Sequence, residues 1–180
     1  RRGNITYDVH SIPPTPGKFN ASHVNIDNFA LTLSLKALRK DTLNATLRRI
    51  SFKEESGFEL KKLSLKAIAN NQQLNISNFK LELPNSILSV PLVKVQYDSL
   101  PSLSQLSPDM KYEGEVEGNL LPTDFSTILP VLSALDQPVE VSIGFEGNGK
   151  QVDIPLLAIK DHKFLNLEGK AKVDGNGEQT

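Results

Sequence analysis

Hydrophobic and polar residues alternate along most of this chain. In the run from Leu31 to Ala37, leucine or alanine stands at every second position, with Thr32, Ser34 and Lys36 between them. A period of two over this length predicts β-strands with one apolar face. Because short polar turns separate such runs, we expect an all-β fold, a curled and mostly antiparallel sheet. Similar runs are Leu63-Leu65-Ala67, Phe79-Leu81-Leu83 and Val93-Val95-Tyr97.

The alternation slips by one residue at a similar point in four strands. At each of these points the next apolar residue comes three positions later instead of two. One extra residue at such a point predicts a β-bulge or a sharp corner. Bulges that lie side by side would crease the sheet into a groove or clamshell with an apolar lining. The slips run from Ile26 to Phe29, Leu47 to Ile50, Leu60 to Leu63 and Ile76 to Phe79.

Residues 24–33 and 74–83 form an internal repeat. Asn, Ile, Asn, Phe, Leu and Leu recur in register in VNIDNFALTL and LNISNFKLEL. Repeats of this kind indicate an array that grows by adding similar units. Chance similarity between two alternating strands is the alternative interpretation.

One short helix is predicted near residues 123–135. Thr123 is placed to cap it, and Pro130 inside the pattern should kink or split it. We expect a loop at 98–110 before it, and strands from Val139 onwards with a turn at residues 147–149. The apolar residues at helical spacing are Phe125, Ile128, Leu129, Leu132 and Leu135.

Composition narrows the possible chemistry. The chain has no Cys, which excludes disulfides, thiolate catalysis and Cys-based zinc sites. Its formal net charge is −1 and it has no basic patch interleaved with aromatic residues, so nucleic-acid binding is not expected. His10, His23 and His162 are far apart in the sequence, and we interpret them as surface or strand-end residues. No metal site and no cofactor are predicted.

Carboxylates are the remaining catalytic candidates. Glu113, Glu115 and Glu117 alternate, so they share one face of a strand. Paired carboxylates can act as acid and base, but three along one strand are typical of the wet face of a sheet. A carbohydrate-active all-β enzyme usually presents aromatic platforms, and this chain has no Trp and 6% aromatic residues. We therefore expect a protein that is not an enzyme.

The apolar surface is the strongest candidate for a functional site. If the creased sheet stays open, acyl chains could fill it, with roughly 0.8 kcal/mol gained per buried methylene. The alternative is an ordinary sandwich core, in which the same side chains meet a second sheet, and the pattern alone favours that alternative. The candidate groove-lining residues are Ile26, Phe29, Leu31, Leu33, Leu63, Leu65, Ile76, Phe79, Leu81 and Leu83.

Two stretches of the chain carry a family resemblance. Residues 50–63, ISFKEESGFELKKL, together with residues 74–86, LNISNFKLELPNS, resemble the TamB translocation-and-assembly-module family of the AsmA-like group, in its Bacteroides-type forms. The later part is similar to the same group in its Gly-x-x-x-Gly strand at 114–118, its leucine-rich segment containing Leu129-Pro130, and its glycine-broken strands. The resemblance covers most of residues 20–176 and rests on repeated amphipathic strands.

The resemblance implies a function as well as a fold. It implies a periplasmic segment of an envelope-spanning protein for phospholipid transport and for outer-membrane biogenesis and assembly, which holds acyl chains in a hydrophobic β-groove. The parent protein would be anchored in the inner membrane. Membrane contact, and an outer-membrane assembly protein as partner, would involve regions beyond this sequence. This resemblance favours the open groove; a structural or adhesive β-sandwich domain of a cell-envelope surface protein, without a ligand, is the alternative.

We expect one continuous sheet-like segment of a larger protein. Residues 1–22 would form an N-terminal strand and a Pro-rich loop. Residues 23–110 would form the repeated β-meander, and residues 111–180 an AsmA-like unit of a strand, a helix and further strands.

Overall fold

The described part of the chain is a single β-sheet. The computed structural model describes residues 3–13, 15–39, 41–98, 109–161 and 166–174. Its ten strands follow one another in chain order across the sheet, and every ladder is antiparallel. Among the described residues the first and last strands do not pair, so the sheet is open. The all-β, antiparallel prediction is confirmed. The strands are β1 (Gly3–Asp8), β2 (His23–Arg39), β3 (Thr42–Glu54), β4 (Glu59–Ala69), β5 (Gln73–Glu82), β6 (Ile87–Gln96), β7 (Lys111–Leu120), β8 (Val139–Asn148), β9 (Gln151–Asp161) and β10 (Asn166–Asp174).

Hydrophobic residues stand opposite one another in the ladders. Leu31 of β2 pairs with Ile50 of β3, Ile50 pairs with Leu63 of β4, and Leu63 pairs with Leu81 of β5. Directly opposed residues of antiparallel strands project from the same face. A slip of one residue in any strand would move its leucines to the polar face, so the alternating pattern determines the register.

Each of the four slips in the alternation lies at a β-bulge. On β2, Asn28 and Phe29 stand opposite Phe52 alone, because Asp27 pairs with Lys53 and Ala30 with Ser51. The ladders of β3 and β4 shift beside Leu47–Ile50 and Leu60–Leu63, and the β4–β5 ladder shifts opposite Asn78 and Phe79. An extra residue turns the following side chains to the other face, so most apolar residues of each strand stay on one side.

Two further bulges coincide with prolines. The β6–β7 ladder shifts between Ser89 and Val93, around Pro91. Both ladders of β9 shift around Pro155. Proline has no N–H to donate to a ladder, so it fits inside a sheet where a bulge interrupts the pairing.

The predicted helix at 123–135 is wrong. The segment forms two short 3-10 turns, Pro122–Phe125 and Pro130–Ala134, and neither is capped by a side chain. Leu129 between them has φ −122° and ψ 86°, outside the helical region. The ring of a proline disfavours helical geometry in the residue before it, so Pro130 ends the first turn instead of kinking a longer helix.

The connection from β7 to β8 runs along one end of the sheet. We call its residues 121–129 the strap. Asp124 Oδ2 accepts hydrogen bonds from the Asn85 N–H at 2.9 Å and the Ser86 hydroxyl at 2.7 Å, in the β5–β6 turn. The Thr127 carbonyl accepts a bond from the Phe19 N–H at 3.1 Å, in the β1–β2 connection. The strap therefore joins turns that are distant in the sequence.

Two of the hairpin turns, β4–β5 and β8–β9, are stabilised by asparagine side chains. Asn70 Oδ1 accepts bonds from the N–H groups of Gln72 and Gln73 at 2.9 Å each. Asn148 Oδ1 does the same for Lys150 at 2.9 Å and for Gln151 at 3.2 Å. The turn predicted at residues 147–149 is therefore displaced, since Gly147 and Asn148 end β8 and the hairpin tip is Gly149–Lys150. Residues 99–108 of the predicted 98–110 loop, and His162, lie outside the described residues.

Candidate functional site

Nine of the ten candidate groove-lining residues lie on one face of the sheet, and Leu83 follows the last residue of β5 in the β5–β6 turn. Ile76 stands opposite Ala67 and Val93, and Phe79 opposite Val90. The bulges at Asn28 and Asn78 keep Ile26 and Ile76 on the same side as the leucines that follow them. This apolar face continues over strands that contributed no candidate. Its further members include Leu47, Ile50, Leu88, Val90, Val93, Val95, Tyr112, Val116, Val141, Ile143, Phe145, Ile154, Leu157 and Ile159.

Most of the apolar face is only half-buried. Leu31 and Leu33 are each 51% exposed, and Phe29, Leu65 and Phe79 are intermediate. Leu83, at the end nearest the strap, is 3% exposed. Among the described residues no second sheet packs against these side chains. The inner strands are flanked on both sides by other strands of the same layer, which cover part of these side chains.

The opposite face is polar and carries the ion pairs. Lys94 Nζ lies 2.9 Å from Glu113 Oε1, and Lys160 Nζ lies 2.7 Å from Glu168 Oε1. The hydrogen bond from Lys80 lowers the pKa of Glu82 below its usual value. These side chains are largely in water, where such pairs contribute little to stability. Glu113, Glu115 and Glu117 all lie on this polar face, exposed to solvent.

Two aromatic rings cover glycines on the apolar face. Phe145 stands opposite Gly114, and Tyr112 stands opposite Gly147. A Cβ added at Gly114 would lie 2.6 Å from Phe145 Cζ, and one added at Gly147 would lie 2.9 Å from Tyr112 Oη. The two ring centroids are 6.3 Å apart. Because the glycines have no side chains, the two rings can lie close against the sheet. Aromatic rings placed over glycines in this way also stabilise glycine positions in strands.

A hollow of about 490 Å³ opens on the apolar face beside the β8–β9 hairpin. We call it the hairpin hollow. Its walls come from five consecutive strands, β6 to β10, and from the hairpin tip. The lining residues are Val93, Val95, Met110, Tyr112, Phe145, Asn148, Gly149, Lys150, Gln151, Val152 and Val173.

Two histidines that are distant in the sequence meet at one carboxylate. His10 Nδ1 lies 2.9 Å from Asp8 Oδ2, and His23 Nδ1 contacts Asp8 Oδ1. His23 Nε2 lies 2.5 Å from the Ile12 carbonyl oxygen. The imidazole ring therefore links the start of β2 to the β1–β2 connection. Asp8 and His23 are direct partners in the β1–β2 ladder, a register that the sequence spacing did not reveal. Within the described ranges, no group of three His, Cys, Asp or Glu side chains could hold a metal ion.

The fold and the apolar face define the class of this protein: an all-β chain whose described residues form one antiparallel layer, with no second sheet over its apolar side. Among the described residues no helix has the length and apolarity needed to span a bilayer. Comparisons with protein-family models, curated proteins and solved structures gave no match.

Proposed function

We propose that this chain is a periplasmic segment of an envelope-spanning protein that serves phospholipid transport and outer-membrane biogenesis. In this role its apolar face curls into a groove that holds acyl chains. The observation that carries the proposal is the apolar face itself, which continues across the sheet and is covered by no second layer of described residues. The resemblance of residues 50–63 and 74–86 to the TamB family supports the cellular setting and the parent protein's anchor in the inner membrane.

The size of the apolar face suits an acyl chain. Half of a bilayer's hydrocarbon core is about 15 Å thick, which is the reach of one chain. Strands in a sheet are about 4.8 Å apart, so such a chain would cross about three of them. Burying ten methylenes would gain about 8 kcal/mol before the cost of ordering the chain is subtracted. That gain is large enough for binding without any polar anchor.

Two features support a curled sheet. The bulges in β2, β3, β4 and β5 lie in neighbouring strands, and bulges bend the strands that carry them. Val95 of β6 and Val173 of β10 also line one hollow. In a flat sheet, strands four places apart would be about 19 Å from each other. Curling towards the apolar side would bring them closer together.

The proposed mechanism is passive. Acyl chains would slide from strand to strand along the apolar face, and their head groups would stay in water. No catalytic residue is required, so the protein would not be an enzyme. Contact with the membrane and with an outer-membrane assembly protein would belong to other regions of the parent protein.

Native mass spectrometry of the purified chain, followed by lipid extraction, tests this function. The variant Leu65→Asp, Leu81→Asp places two carboxylates on the apolar face, where acyl chains cannot replace their lost water. The matched control is Ser64→Asp, Ser77→Asp, which places two carboxylates on the polar face of the same strands, β4 and β5. We expect phospholipid on the wild type and on the control, and none on the apolar-face variant.

The opposite result would favour the structural or adhesive role. If the wild type, correctly folded, carries no lipid and acquires none from mixed vesicles, the acyl-binding proposal is wrong. Equal lipid on both variants, at equal stability, would also count against it.

A further inference from the structure

The hairpin hollow differs in charge from the other hollows along the sheet. Four others in the described part of the chain include Glu side chains in their linings, such as Glu113, Glu59 and Glu117. Among the described residues, the lining of the hairpin hollow includes no carboxylate, and Lys150 is its one basic residue. Lys150 is therefore the charged group of this lining that would attract an anion, whereas the other linings mix both signs of charge.

The position of Lys150 is well defined although its side chain is exposed. Asn148 Oδ1 accepts the Lys150 N–H at 2.9 Å, which holds the backbone of the hairpin tip in place. Among the described residues the Lys150 ammonium takes part in no ion pair. It therefore stands at the rim with its three N–H donors available for an oxyanion.

The rest of the lining is mostly apolar, with Asn148 and Gln151 as uncharged polar members. The rings of Tyr112 and Phe145 lie across its floor, and Met110 beside them is 8% exposed. Its volume of about 490 Å³ falls within the range of roughly 300–1,000 Å³ that small-molecule sites occupy. An apolar floor with a single cation at the rim matches a molecule that has a hydrocarbon chain and an anionic head.

We propose that the hairpin hollow is a binding site for an acyl lipid with an anionic head group, a carboxylate or a phosphate. The chain would lie on Tyr112, Phe145 and Val152, and the head group would meet Lys150. This inference rests on the proposed function, and it adds a fixed position and a charge preference to the sliding of acyl chains along the apolar face.

Calorimetric titration of the full chain with three single-chain probes tests the site. The probes are oleate, oleyl phosphate and oleyl alcohol, each kept below its aggregation concentration. The variants are Lys150→Gln, which removes the charge, and Lys150→Arg, which keeps it. Lys111→Gln is the matched control, because Lys111 stands opposite Asn148 at the same end of the sheet but on the polar face. Thermal melting confirms that all variants are folded.

We expect the anionic probes to bind wild type more tightly than oleyl alcohol does. Lys150→Gln should weaken their binding about tenfold, as loss of one charge-assisted contact of about 1.4 kcal/mol would. Lys150→Arg and Lys111→Gln should bind the anionic probes with the affinity of wild type. The affinity for oleyl alcohol should be the same in wild type and in all three variants. Preference for oleyl phosphate would point to a phospholipid as the natural ligand, and preference for oleate to a free fatty acid.

The titrations distinguish failure of the anionic site from failure of acyl-chain binding in general. Equal binding of all probes, unchanged in Lys150→Gln, would overturn the anionic site and leave acyl binding intact. No binding of any probe to wild type would overturn both. An equal loss in Lys150→Gln and Lys111→Gln would show an effect of overall charge and would also overturn the site.

Discussion

Asn28 and Asn78 hold the same left-handed backbone at matching points of the internal repeat, with φ of 55° and 54°. Each lies in a bulge, immediately before the phenylalanine that returns the strand to the apolar face. Asparagine adopts this conformation more readily than other residues with a Cβ, because its short amide can bond to the local backbone. The repeated Asn-Phe pair is therefore the sequence feature that forms the bulge twice.

Replacing Asn78 by Val should destabilise the sheet by about 1–2 kcal/mol, since a β-branched residue is strained at positive φ. Asn78→Gly should be much milder, because glycine adopts this backbone without strain. Asn75→Val, on the polar face of the same strand, is the control and should be near neutral. Urea unfolding followed by circular dichroism measures all three. An Asn78→Val variant as stable as wild type would show that the left-handed residue does not matter to the bulge.

Asp124 should be the main attachment of the strap. Its carboxylate accepts bonds from the Asn85 backbone, the Asn85 side chain at 2.9 Å and the Ser86 hydroxyl. Asp124→Ala should lower the free energy of unfolding by about 2–3 kcal/mol, because Ser86, which is 2% exposed, would lose a charged partner. Asp136→Ala, in the exposed part of the same connection, should change it by less than about 0.5 kcal/mol. Equal melting temperatures for the two variants would contradict this role.

The glycine beneath Phe145 should not tolerate a methyl group. Gly114→Ala would place a Cβ 2.6 Å from the ring, so Phe145 must move, at about 1–3 kcal/mol in stability. Gly169→Ala is the control, because no atom lies within 4 Å of a Cβ added at Gly169 in β10. Chemical denaturation of both variants gives the comparison. A loss at Gly169 as large as that at Gly114 would show that the ring contact is not the cause.

Tyr97 should make the protein less stable at alkaline pH. Burial raises the pKa of its phenol above the usual 10.0, and its hydroxyl donates a 2.7 Å bond to the Asn70 carbonyl. The phenol ionises first in the unfolded state, so its contribution is present below pH 10 and is lost as the pH rises through the folded-state pKa. The difference in unfolding free energy between wild type and Tyr97→Phe should therefore shrink as the pH rises above 10.0. A difference that stays constant over this range would contradict the assignment.

The local sequence pattern was sufficient to predict the strands and the four bulges. Alternation and its slips depend only on residues that are close in the sequence, such as Ile76 and Phe79. It was insufficient where one residue overrode a longer pattern. The helical spacing around Leu129 was real, but Pro130 removed the conformation that the spacing required. Contacts such as Asp8 with His23 depend on the path of the connection between two strands, which alternation does not encode.

The sequence identified only part of the apolar face, again because the pattern is local. Nine of the ten candidates came from β2, β4 and β5, where leucine and phenylalanine make the alternation obvious, and Leu83 directly follows β5. In β7, two of the positions on the apolar face are glycines, Gly114 and Gly118. The alternation of hydrophobic and polar residues is therefore weaker in β7, although the apolar face continues across it. Its extension to β10 became apparent from the ladder register.

The most direct test of the account is photo-cross-linking in cells from two adjacent residues on opposite faces. A benzoyl-phenylalanine would replace Leu65 on the apolar face in one variant and Ser64 on the polar face in the other, in the full-length parent protein, with lipids radiolabelled in their phosphate. We predict labelled protein after irradiation from position 65 and none from position 64. No label from position 65, in protein that is folded and correctly located, would contradict an apolar face that holds lipid.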